Sequence, residues 1–177
     1  YTNNDCIAIG NEALQNISTA TDSCLAIGIQ ALKYNTGNRN CAIGTNSMIN
    51  NDNGEKNVGI GIDTFGQAIT IRSIGKNNVA VGDSALYNNT GNSNVAVGDS
   101  TLYNNTGDFN VAVGASALYN NTGSDNVANG TNALFSNTTG NYNIALGGAA
   151  LYNNISGYGN IAIGNNSYNK SVGTNNG

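Results

Sequence analysis

The chain has 177 residues, a formal net charge of −4, 9% charged residues, and no Pro, His or Trp. Its 37 Asn, 24 Gly and 15 Thr leave too few Leu, Ile and Val for a rounded core, and far fewer charges than the usual ~25%. The absence of His and the presence of only three Cys speak against histidine acid–base chemistry and the common transition-metal sites. The acidic balance speaks against nucleic acid. No apolar run approaches the roughly 18 residues of a membrane span, and no signal-peptide pattern opens the chain. An extracellular location therefore implies a processed or partial chain. No catalytic residue, cofactor or metal is expected.

In chain order, a short strand is predicted immediately before each of ten glycines: Gly10, Gly28, Gly44, Gly61, Gly82, Gly98, Gly114, Gly130, Gly147 and Gly164. The clearest copies read Asn-Val-Ala-Val-Gly at 78–82, 94–98 and 110–114. The intervals are 18, 16, 17, 21, 16, 16, 16, 17 and 17 residues. That period is too short for two-helix repeats or propeller blades and fits one coil of a β-solenoid. Counting from the glycine, position −4 is Asn in eight copies, with Cys6 and Cys24 as the exceptions. Positions −3 and −1 are nearly all Val, Ile or Leu, and −2 is Ala or Gly. Position +4 is always large and apolar, from Leu14 to Tyr168, and +5 is aromatic at Tyr87, Tyr103, Tyr119, Phe135 and Tyr152. An Asn-Asn-Thr-Gly segment or a relative follows and supplies turn chemistry.

Alternation along a strand puts −3 and −1 on one face and −4 and −2 on the other. With the apolar pair and the +4 side chain inside, Asn and Ala face out, and the +3 Ala and +5 Tyr face out on a second strand. The expected fold is an all-β parallel β-roll, or β-solenoid, of about ten coils with two short strands each. It spans residues 1–177 as one array, roughly 48 Å long at about 4.8 Å per coil. So slim an interior predicts a marginal lone chain. The outward Ala80, Ala96, Ala112, Ala128, Ala145 and Ala162 would let copies approach closely, most simply around a three-fold axis. The first and last coils carry no polar cap, which predicts part of a longer fibre or end-to-end stacking.

The Asn94–Gly98 type of repeat resembles the head repeats of trimeric autotransporter adhesins, with similar repeats in phage and large-virus fibres. The resemblance covers Cys6 to Ser167. It implies a left-handed parallel β-roll in a three-chain bundle, displayed on a cell or virion surface for adhesion, with no shared catalytic residues to carry over.

Several features carry candidate functions. The aromatic column suits a ligand stripe for glycan or protein, against a purely structural stack of rings between coils. The −4 Asn column suits an internal amide ladder better than a binding edge. Of eight Asn-X-Ser/Thr matches, Asn88, Asn104, Asn120 and Asn137 lie in the repeat turns and are candidate glycosylation acceptors, although an Asn- and Thr-rich chain produces such matches by chance. Cys6 and Cys24 share a column in successive coils, within disulfide range, while Cys41 is expected to point inward. Asp83 and Asp99 form a weak candidate cation pair. The segment 62–77, with Arg72 and Lys76, reads as an irregular insertion between coils. Asn129 replaces an inward Val and is expected to weaken its coil. Thr recurs in turns and not along a strand face, so an ice-binding array is not expected. The partners anticipated are copies of the chain, as trimer or stacked filament, and a host-surface glycan or protein.

Overall fold

The computed structural model describes residues 5–17, 21–66 and 75–168. Among them the protein is all-β, without helix. Each motif forms a three-residue strand: β1 (Ile7–Ile9), β2 (Leu25–Ile27), β3 (Cys41–Ile43), β4 (Val58–Ile60) and β5 (Val79–Val81) in the first half. The second half interleaves β6 (Asn88–Asn89), β7 (Val95–Val97), β8 (Asn104–Asn105), β9 (Val111–Val113), β10 (Asn120–Asn121), β11 (Val127–Asn129), β12 (Ile144–Leu146) and β13 (Ile161–Ile163). The ten motif strands make one parallel sheet in chain order, and β6, β8 and β10 make a second, three-stranded one. The second strand expected in every coil is thus regular in only three of those described. In the other coils, turns carry the chain.

Register follows the repeat. Val95 lies against Val79 and Val111, and Ala96 against Ala80 and Ala112. The coil of 21 residues stacks like the rest, with Val58 opposite Val79. The centre of its insertion, residues 67–74, lies outside the described residues, while Lys76 Nζ sits 3.4 Å from Glu55.

The alternation within the first strand holds, but its sides are exchanged. Ala80, Ala96, Ala112, Ala128 and Ala145 are fully buried and Ala162 nearly so. The −3 and −1 side chains are instead half-buried or exposed on the outside. The interior has room for one large side chain per coil, the +4 Leu, Met or Phe, packed against two small ones. Gly59 shows how tight this is, because a Cβ there would lie 2.6 Å from Thr64 Oγ1 and 3.0 Å from the Met48 methyl. A second pair of Val per coil would overfill it.

The second half departs from alternation for a backbone reason. The +4 residue has a left-handed φ in every coil, for example 50° at Leu102 and Leu118 and 49° at Phe65. Such a residue breaks the period of two, so +3 and +4 both turn inward: Ala85 with Leu86, and Ala117 with Leu118. For a non-glycine residue this conformation costs on the order of 1–3 kcal/mol and persists only when its surroundings enforce it. Here burial of the side chain and the flanking ladder bonds, such as Leu102 N–H to Ala117 O at 3.0 Å, supply that enforcement.

Polar groups complete the interior. The −4 asparagines point inward, not outward. Asn94 donates to Asn78 Oδ1 and Gly107 O, and its own Oδ1 accepts from the backbone N–H and the amide of Asn110. Both amide hydrogens and both lone pairs are used, which is what a buried amide requires. A second buried ladder, unforeseen from the sequence, runs through Asn89, Asn105, Asn121, Asn137 and Asn154. Its signal is legible in retrospect as an Asn seven residues after most of the motif glycines.

Candidate functional site

The outward side of the ten-stranded sheet is the most distinctive surface. Two columns of Val, Ile and Leu run along it, and among the described positions only Cys41 and Asn129 depart from them. Val97 and Val113 are 36% and 37% exposed, and Ile60 39%. Neither column holds a charged residue. Ten strands at about 4.8 Å and three residues at about 3.3 Å give a face of roughly 500 Å². That is at the upper end of the ~300–600 Å² of the largest patch on a typical monomer.

Two sequence expectations change on this face. Cys41 is half-exposed and turned outward with its column rather than inward, and partial burial pushes its thiol above the ordinary value. Asn129 is exposed, not buried, so it leaves no unpaired amide in the core. The Ala column expected to mediate packing between chains lies inside its own chain and cannot touch another.

The aromatic column forms a continuous stack on a second surface. Ring centroids are 4.9 Å apart for Tyr87–Tyr103, 5.0 Å for Tyr103–Tyr119, 5.4 Å for Tyr119–Phe135 and 5.2 Å for Phe135–Tyr152. Interplanar angles are 5–6° except 21° at the Tyr119–Phe135 step. Both faces of Tyr103, Tyr119 and Phe135 are therefore covered by neighbouring rings. The stripe presents ring edges and hydroxyls, not the open faces on which a sugar stacks. Burial first, then the Tyr87 and Tyr119 phenols and Asp63, holds the Tyr103 hydroxyl above the ordinary phenol value.

Beside the stack lies a trough of about 370 Å³ over β6, β8 and β10, lined by Asn88, Thr90, Asn104, Thr106, Asn120, Thr122 and Thr138. Asn88 donates to Asn104 and Asn104 to Asn120, each at 2.7 Å. Thr90, Thr106 and Thr122 are exposed and stand in register directly after these strands. As expected, these Thr lie outside the strands, yet they form a row in register from coil to coil. Of the four candidate glycosylation acceptors, Asn88, Asn104 and Asn120 lie in this surface ladder. Asn137 does not: it is fully buried and bonded to Asn121 and Gly140. Its Asn-X-Thr match starts one place later in the coil, and Ser136 takes the outward place held by Asn88, Asn104 and Asn120.

The cysteines at the head of the −4 column are free. Cys24 is buried, and its N–H donates to Cys6 Sγ at 3.3 Å, so the candidate pair stands as two stacked thiols without a bridge. Burial pushes the Cys24 thiol up. Asp83 and Asp99 each accept from the hydroxyl of the following serine, at 3.2 and 3.0 Å. Among the described residues no group of three or more His, Cys, Asp or Glu is placed to hold a metal ion, and no helix is long and apolar enough to cross a membrane. No protein family, curated protein or solved structure matches the chain.

Proposed function

We propose that the chain is a non-enzymatic structural segment of an extracellular fibre serving adhesion or surface display, and that its copies pack laterally through the outward Val/Ile face. The observation carrying this reading is that face: ten strands long, apolar and free of charge. A second copy is the natural occupant because it presents rows with the same strand-by-strand spacing and brings no like charge to the contact. Two such faces together provide roughly 1,000 Å², the area at which association becomes specific. A rod stiffened by continuous ladders projects whatever it carries away from the surface that anchors it. Three chains around one axis is the arrangement that the adhesin-head resemblance implies.

Light scattering over a dilution series tests the association. A constant mass of a few chains is expected, falling to one chain in Val97→Lys with Val113→Lys while the circular dichroism spectrum is retained. A mass of one chain for the unaltered protein at every concentration overturns the reading. A mass growing without limit favours a head-to-tail filament.

The trough favours one further reading, a fibre that binds glycan. Its amides, hydroxyls and methyl groups, with the tyrosine hydroxyls alongside, suit the mixed polar and apolar surface of a saccharide. Thr106→Val with Asn104→Ala is expected to abolish binding on a glycan array without changing the mass of the assembly. Undiminished binding removes the trough as the site.

A further inference from the structure

We propose that Asn129 sets the axial register in which copies of this chain join, and that they join parallel and in step; the proposal rests on the lateral-association reading above. The apolar rows alone cannot set it. Sliding one copy by a single coil, about 4.8 Å, replaces Val by Val or Ile at almost every contact, so a strictly periodic face leaves neighbouring registers nearly equal.

Asn129 breaks that equality. It ends β11, in register with Val113 on one side and Leu146 on the other. Its backbone carbonyl accepts from Gly147 N–H at 2.7 Å, but its side-chain amide bonds to no described residue of its own chain. Joined in step, the Asn129 amides of neighbouring copies meet at one level and pair N–H to C=O. Slipped by one coil, each amide is covered by the neighbour's Val113 or Leu146 with nothing to bond. Leaving one buried amide unpaired disfavours each slipped register by about ten- to a hundredfold. A single polar residue in an apolar seam fixes register in coiled coils on the same ground. An antiparallel pair could join its Asn129 amides only by centring on β11, which would leave β1–β5 facing no described strand.

Cys41, half-exposed on the same face, is a built-in reporter, and its neighbour across the ladder is Val58. The experiment uses the full chain with Cys6→Ser and Cys24→Asn, leaving Cys41 as the sole thiol. A second form carries Cys41→Val and Val58→Cys, which moves the thiol by one coil. The two are mixed, treated with a short bis-maleimide that alkylates one thiol at each end, and the product joining unlike chains is quantified by mass spectrometry. With Asn129 in both forms, joining of like chains is expected to dominate. Moving the asparagine by one coil in the Cys41 form, by Val113→Asn with Asn129→Val, is expected to raise the unlike product about tenfold. Asn129→Val alone is expected to keep the assembled mass and bring the two products level. An unlike product that stays unchanged when the asparagine moves, in assemblies of normal mass, overturns the register proposal alone. A single-chain mass at every concentration overturns lateral association with it.

Discussion

Asn94 and Asn105 donate their side-chain amides to one acceptor, the carbonyl oxygen of Gly107, at 2.9 and 2.8 Å. The pairing recurs coil after coil: Asn110 and Asn121 meet on Gly123 O, and Asn126 and Asn137 on Gly140 O. One turn carbonyl thus ties the two buried amide ladders together. It joins the segment before the first strand to the segment after the second, closing these coils without a covalent link.

Removing an inner amide is therefore costly. Asn110→Ala removes the acceptor of both the Asn126 backbone N–H and the Asn126 amide, and takes one of two donors from each of Gly123 O and Asn94 Oδ1. Each orphaned buried group costs about 1–3 kcal/mol. The melting midpoint is expected to fall by roughly 5–15 °C, at about 2–4 °C per kcal/mol for a chain of this size. Asn104→Ala on the outer ladder is expected to move it by less than a third of that. Equal shifts would show that the inner ladder has no special weight.

Gly107→Ala probes the same corner from the backbone. A Cβ at Gly107 would drive into the Gly123 carbonyl oxygen of the next coil. Backbone cannot give way as a flexible side chain does, so a loss above ~3 kcal/mol is expected. Calorimetry on the variant is the check, and a loss below about 1 kcal/mol would refute so close an approach.

Ala96→Leu distinguishes interior from exterior directly. Ala96 is fully buried, and the added atoms have no cavity to fill, so destabilisation of about 1–3 kcal/mol or more is expected within the single chain. The loss will appear at concentrations too low for association. If the variant melts normally but fails to associate, the Ala column faces out after all.

Tyr103 gives a dependence on alkaline pH. Because its phenol is held above the ordinary value, the folded chain retains a proton that the unfolded chain has released. Stability is therefore fully present below the unfolded phenol value of about 10 and declines as pH rises from there through the raised folded value. Tyr103→Phe is expected to flatten that decline. Melting curves taken at about pH 9 and 11 for both forms decide it.

At acid pH the expected change is slight. Glu12 accepts from Lys33 Nζ at 2.7 Å and from Gln30, and these hydrogen bonds, Lys33 first, hold its carboxyl below the usual range. Its contribution is present above the ordinary glutamate value and disappears as pH falls through the lowered one. The buried polar side chains described are all Asn, Ser or Thr, which do not ionise. Glu12→Gln is thus expected to remove most of the acid dependence seen in melting curves, and a steep acid transition in that variant would contradict this account.

The coil period, the parallel stacking and the pairing of strands were all legible in the chain, because ten copies of one motif in near-constant spacing admit little else. The rings of Tyr87, Tyr103 and Tyr119 likewise had to stack once their coils did. Which side of the strand faces inward was settled only in three dimensions. Alternation groups Val95 with Val97 and Asn94 with Ala96, but is blind to which pair is buried, and hydrophobicity alone favours the valines. The tertiary structure reverses that choice for two physical reasons. Left-handed residues such as Leu102 bring two adjacent side chains into the same narrow space, leaving room only for alanine opposite. Turn carbonyls such as Gly107 O point into that space and need donors, which an inward asparagine supplies and a valine cannot.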